Sequence, residues 1–116
     1  MGTFVITQRA SGPYKYEFVS RKGKTIFMSN DFELRFECEE QIELLKNAIE
    51  RCVFLRFKSS GGKFFFRLIL DEHELAVSRR YTTQLLLQKG IDEIVNYAHK
   101  AEFLDFSSAD DIFGSL

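Results

Sequence analysis

The chain has 116 residues, a length that fits one folding unit with its own core. At 45% hydrophobic and 28% charged, with thirteen Phe, four Tyr, no Trp and one Pro, it has a globular rather than a disordered composition. Sixteen basic and seventeen acidic residues give a net charge of −1, without the basic excess that general affinity for nucleic acid or an anionic membrane requires.

The start, Met1-Gly2-Thr3-Phe4-Val5-Ile6, lacks a charged region followed by an apolar run, so no signal peptide is expected. Ile6 also stands where a myristoylation signal needs Ser or Thr. Tyr14, Tyr16 and Phe18 alternate with Lys15, Glu17 and Val19, the period of a half-buried strand. Arg21 to Lys24 turns the chain, with Gly23 free to take a positive φ, and Thr25 to Asn30 returns as a second strand. Cys38, Ile42, Leu45, Ile49 and Cys52 then step by four and three residues, laying an apolar stripe along a helix. Glu39, Glu40, Glu43 and Lys46 occupy its opposite face. Phe54 to Phe57 is a short aromatic strand, much as Phe4 to Ile6 is before the first hairpin.

The same order follows again. Lys63 to Leu70 and Glu74 to Ser78 form a hairpin turned through Asp71-Glu72-His73. Leu87, Ile91, Ile94, Ala98 and Ala101 make the second helical stripe, with Thr82 or Thr83 as its N-cap, and Phe103 to Phe106 is the closing strand. Ser29 matches Ser78 at an offset of 49, which also pairs Phe32 with Tyr81, Ile42 with Ile91, Leu45 with Ile94 and Phe54 with Phe103. Upstream the offset falls to 48, pairing Tyr16 with Phe64 and Phe18 with Phe66. The predicted fold is α+β: a tandem duplication of a strand–strand–helix–strand unit, forming one antiparallel-rich sheet with two helices packed on one face. The two repeats span about residues 3–57 and 54–106 and share the middle strand, making residues 1–106 a single domain. Residues 107–116 form an acidic C-terminal tail, whose Gly114-Ser115-Leu116 also reads as a tag remnant.

Gly62-Lys63-Phe64-Phe65-Phe66, Ser78-Arg79-Arg80-Tyr81 and Gly90-Ile91-Asp92-Glu93-Ile94 resemble the YegP-like family in its tandem-repeat form. The resemblance covers roughly residues 3 to 106, with the first copy more divergent. There Gln41 replaces the glycine, and Glu33-Leu34-Arg35-Phe36 lacks the usual polar approach to the helix. The resemblance implies a single sheet with exchanged final strands, covered by helices. It implies no activity and transfers no catalytic or binding residue.

No catalytic constellation emerges from the residues themselves. His73 reads as an exposed turn residue and His99 as a favourable charge near a helix C-terminus; neither has ligand spacing with the other or with a cysteine. Cys38 and Cys52 fall on the apolar stripe as small hydrophobes, and two thiols are too few for a disulfide framework, which makes a reducing cytoplasm the expected compartment. The carboxylates of Glu37, Glu39, Glu40, Glu43, Asp92 and Glu93 read as solvated helix faces. Ser59-Ser60-Gly61-Gly62 is a hairpin turn, since no helix follows it to cradle a phosphate. No run of eighteen apolar residues predicts a membrane helix.

Two candidate surfaces remain. Arg56, Lys58, Lys63, Phe65 and Arg67 gather basic and aromatic groups, and pairing of strands 54–58 and 63–70 puts Lys63, Phe65 and Arg67 on one face, opposite Phe64, Phe66 and Leu68. Basic groups beside an aromatic can bind bases and phosphates, but the polar outer face of a half-exposed sheet is the simpler reading, so nucleic acid is not favoured. In the tail, Asp110, Asp111, Ile112 and Phe113 have the pattern of a short docking peptide. The functional expectation is therefore a non-enzymatic binding or interaction module, with a protein partner through the tail or the sheet face. The alternative is a small-molecule-binding protein or enzyme with a pocket at the junction of the two repeats. No cofactor, metal or membrane is expected, and the molecule is expected to be a monomer with pseudo-two-fold symmetry.

Overall fold

The computed structural model describes residues 2–106. In chain order these form β1 (Thr3–Gln8), β2 (Tyr14–Val19), β3 (Thr25–Ser29), α1 (Arg35–Ala48), β4 (Val53–Lys58), β5 (Phe64–Leu70), β6 (His73–Ser78), α2 (Gln84–Tyr97) and β7 (Glu102–Asp105). Each helix ends in a 3₁₀ turn, Ile49–Arg51 and Ala98–Lys100. The strands make one mixed sheet in the order β4-β5-β6-β3-β2-β1-β7. All ladders are antiparallel except β1 with β7, where Phe4 lies beside Phe103 in parallel.

The period-two pattern decides which side chains go inside. Phe4 and Ile6 on β1, Tyr16 and Phe18 on β2, and Phe66, Leu68 and Leu70 on β5 are buried in one continuous core. The helices supply the other wall through Cys38, Ile42 and Leu45 from α1 and Leu87, Ile91 and Ile94 from α2. Every residue of the second helical stripe is buried, and Ile42 and Ile91 take equivalent places. Thr83 caps α2, its Oγ1 accepting the Leu86 N–H at 3.1 Å. Leu34 at the start of α1 has no such acceptor; instead the Glu37 carboxylate reaches back to accept the Leu34 N–H at 3.0 Å.

Equivalent bonds recur in both halves. The Ser29 hydroxyl accepts the Tyr16 N–H at 2.9 Å and donates to the Asn30 carbonyl at 2.8 Å. The Ser78 hydroxyl accepts the Phe66 N–H at 2.9 Å and donates to the Arg79 carbonyl at 2.7 Å. Tyr14 bridges to Phe32 as Phe64 does to Tyr81.

These bonds correct the upstream alignment. Tyr16 corresponds to Phe66 and Tyr14 to Phe64, an offset of 50 and not 48. The reason lies in the turns. The β2–β3 hairpin closes over Ser20 to Lys24, whereas Asp71 and Glu72, both at positive φ (49° and 68°), make a tighter turn between β5 and β6. Because both shifts are even, the assignment of faces survives the error. His73 is accordingly the exposed first residue of β6, not part of the turn. Cys52 likewise lies just beyond the 3₁₀ turn, with extended backbone, rather than on the helix.

Among the described residues β4 pairs only with β5, while the β1 edge of the first half is covered by β7. The closing strand of the second half has crossed the sheet to reach the first strand of the chain. Arg35 on α1 fixes it there through Asp105, at 2.7 Å.

Two packing predictions follow from the core. Phe66→Ala should cost about 3–5 kcal/mol, from lost burial plus a cavity, whereas the half-buried Phe65 on the other face should cost about 1–2 kcal/mol when truncated. Denaturant melts read both; equal losses would mean that the two faces are misassigned. A Cβ at Gly90 would stand 2.4 Å from the Tyr81 hydroxyl oxygen and 3.0 Å from its Cζ. Gly90→Ala should therefore destabilise by about 1–3 kcal/mol, and adding Tyr81→Phe should recover part of that loss in the same melts.

Candidate interaction surface

The outer face of the sheet, away from the helices, is most apolar where β4 meets β5. Three cross-strand pairs build it: Val53 beside Ile69, Leu55 beside Arg67, and Phe57 beside Phe65. Val53, Leu55 and Phe57 are 51%, 45% and 40% exposed, more than single scattered apolar residues would contribute. The Phe57 and Phe65 rings stack at 5.4 Å with 21° between planes. Two guanidiniums roof the pair: Arg67 lies 5.1 Å from the Phe57 ring centre and Arg80 lies 5.0 Å from that of Phe65. Arg67 is also held by Glu74 at 2.8 Å. The result is an aromatic stack capped by arginines and flanked by an exposed aliphatic row.

The predicted basic and aromatic cluster is divided by the sheet. Phe65 and Arg67 are on this outer face as expected, and Lys63 is exposed just before β5. Arg56 and Lys58 belong to the opposite side, because directly opposed residues share a face and these two oppose Phe66 and Phe64. Arg56 donates to the side-chain carbonyl of Gln88 on α2, and the Lys58 ammonium sits 5.7 Å above the Phe64 ring. Phe57, Leu55 and Val53 complete the surface, and the sequence pattern of basic and aromatic groups does not single them out. Arg80 comes from the segment after β6 and nothing in local sequence spacing points to it. Asp110, Asp111, Ile112 and Phe113 lie outside the described residues.

At the junction of the halves, Glu17, Thr25, Met28, Asn30, Val77 and Arg79 surround a depression of about 430 Å³. It lies where β3 and β6 pair over only three residues. Lys15 and Glu17 approach to 4.0 Å at its side, and the Thr25 hydroxyl donates to Glu17 at 3.1 Å. Among the described residues no three His, Cys, Asp or Glu side chains come together as a metal would need. His99 lies exposed in the 3₁₀ turn after α2. No helix of the described residues is long and apolar enough to cross a membrane.

The thiols are chemically quiet. Burial pushes both Cys38 and Cys52 up to about 11, with Glu37 adding to the effect at Cys38. Burial also raises Tyr16 and Tyr81 above the ordinary phenol range. Below an unfolded-state value near 9 both states hold the thiol proton; above it the unfolded chain loses protons that the folded chain keeps. Stability should therefore fall as pH rises from about 9 towards 11, and alkylation of the native thiols at pH 8 should be slow. Urea midpoints across that range, beside iodoacetamide labelling, check the direction; a midpoint rising with alkalinity would contradict it.

Solved structures share this architecture. A protein of unknown function from E. coli, YegP, solved by solution NMR, superposes with a TM-score of 0.78 at 21% identity, over 91% of this chain and 93% of that one. A UPF0339 protein from Shewanella oneidensis, also solved by NMR, superposes with a TM-score of 0.75 at 14% identity, covering 91% and 92%. The fold is the one that the YegP-like resemblance implied, and at these identities the likeness concerns the fold. No protein-family model and no curated protein matches the chain.

Proposed function

We propose that this chain is a non-enzymatic interaction module that engages a protein partner through the outer face of the β4–β5 corner. The observation that carries the reading is the exposed Val53–Leu55–Phe57 row beside a Phe57–Phe65 stack roofed by Arg67 and Arg80. Aromatic rings and arginines held in place by one another lose little freedom on binding, and such residues dominate protein interfaces. The guanidiniums also cover the rings that bases would need for stacking, which favours a protein with apolar and acidic contacts over a nucleic acid. We read the two halves as a tandem duplication, because equivalent serines and aromatics make equivalent bonds in each.

The small-molecule alternative would use the junction depression, whose lining by Glu17, Arg79 and Asn30 could orient a polar ligand. It is only partly enclosed, and for that reason it ranks second. A compound that raises the melting temperature of the native chain but not of Met28→Trp would favour it.

Affinity capture with the intact chain, with Phe57→Ser/Arg67→Glu, and with a chain ending at Phe106 tests the main reading. Partners held by the intact chain should be lost from the double variant while its melting curve stays cooperative. Loss only on truncation would shift the contact to Asp110, Asp111, Ile112 and Phe113. Equal capture by all three chains would overturn the surface assignment.

A further inference from the structure

The two ends of the sheet are unequal. In the antiparallel ladder of β4 with β5, the Ser59 N–H donates to the Lys63 carbonyl at 2.7 Å, which marks that pair as hydrogen-bonded. Alternation then directs the backbone groups of Phe57, Leu55 and Val53 towards β5, and those of Phe54, Arg56 and Lys58 outward. The same count on β1, starting from Arg9 N–H to the Pro13 carbonyl, turns Ile6 outward. There the Ile6 carbonyl does accept the Phe106 N–H, at 2.9 Å, as part of the β1 pairing with β7. At β4 no described strand takes that place.

The β1 edge shows what such an edge accepts. β7 reads Glu102-Phe103-Leu104-Asp105 and lies parallel, with Asp105 beside Ile6 and its carboxylate held by Arg35 at the start of α1. Carried to the second half, Ile6 becomes Arg56 and Arg35 becomes Gln84. A cavity of about 230 Å³ lies at that spot, lined by Arg56, Lys58, Phe64, Gln84 and others, between the β4 edge and the start of α2. In the first half the cation is on the helix; in the second, two cations are on the strand. Arg56 has a neutral partner there, Gln88.

We propose that the free edge of β4 receives, in parallel, an extended segment of another protein with the β7 pattern of acid, aromatic, aliphatic, acid. Its backbone would bond to the outward groups of Phe54 and Arg56, and its last carboxylate would enter the cavity between Arg56, Lys58 and Gln84. The inference rests on the reading of the β4 corner as an interaction surface, but it uses the edge rather than the outer face.

A fluorescent peptide with the sequence of Lys100 to Phe106 is the probe, titrated into the full chain. Saturable binding is expected, weakened at least tenfold by Arg56→Glu and by lysine in place of the peptide's aspartate, and restored when the two reversals are combined. In the native chain, amide exchange should slow at Phe54 and Arg56 and stay unchanged on β1. No saturable binding, indifference to Arg56→Glu, or protection on β1 in place of β4 would overturn the proposal, as would self-association through β4 detected by sedimentation. Phe57→Ser/Arg67→Glu separates the two readings. If that variant loses its partner but the peptide never binds, the edge assignment alone falls. If the peptide binds and the variant loses nothing, the outer-face assignment alone falls.

Discussion

The two halves of the sheet are joined by a ladder only three residues long, in which Phe27 faces Ser78, Met28 faces Val77 and Ser29 faces Ala76. So short a ladder cannot by itself hold two rigid halves in register, and buried backbone groups at its ends would be costly if unpaired. Bonds beyond the ladder extend it: the Arg79 N–H donates to the Ile26 carbonyl at 2.9 Å, and the Asn30 side-chain amide donates to the Glu74 carbonyl at 3.0 Å. Within each half a serine completes the pairing, its hydroxyl accepting an N–H from β2 or β5 and donating to the carbonyl of the residue that follows it. The sheet therefore stays hydrogen-bonded where β3 and β6 leave the pleat, and the core beneath continues from Phe27 to Ala76 without a gap. The helices and the crossing of β7 both depend on that continuity.

The halves solve one packing problem in two ways. In the second, Tyr81 places its hydroxyl where a side chain at residue 90 would begin, so glycine is required there. In the first, the residue matching Tyr81 is Phe32, which has no hydroxyl, and Gln41 occupies the space the glycine leaves. Its amide oxygen accepts the hydroxyl of the buried Tyr16, while the matching Phe66 has no hydroxyl to satisfy. The differences are correlated because a close-packed interior has no spare volume and a buried hydroxyl needs a partner.

Near-symmetry within a single chain leaves the sheet ends different. The last strand of the described residues lies on β1, where its Asp105 meets Arg35. The corresponding edge at β4 keeps its outward backbone groups, its exposed aliphatic row and its cations. An edge of that kind is normally blunted by charge or covered by another element. Arg56 and Lys58 supply the charge while leaving the backbone open. Both proposed contact surfaces thus lie at the end that the described strands leave unpaired.

The sequence by itself determined the elements, their order and their faces. The alternation of Tyr16 and Phe18, the four-and-three stepping of Ile42, Leu45, Ile91 and Ile94, and the match of Ser29 with Ser78 are local patterns, and burial follows local periodicity. Even the wrong offset upstream did no harm to the faces, because a shift of two residues preserves the pleat. What only the tertiary structure decided is whatever depends on register and strand order: the destination of β7, the pairing of β4 with β5, and the separation of Arg56 and Lys58 from Phe65 and Arg67. Arg80 reaches Phe65 from fifteen residues further along the chain, brought there by the β5–β6 hairpin. Strand order and cross-strand partners are set by the competition of distant edges for one another, and no short window of sequence contains that competition.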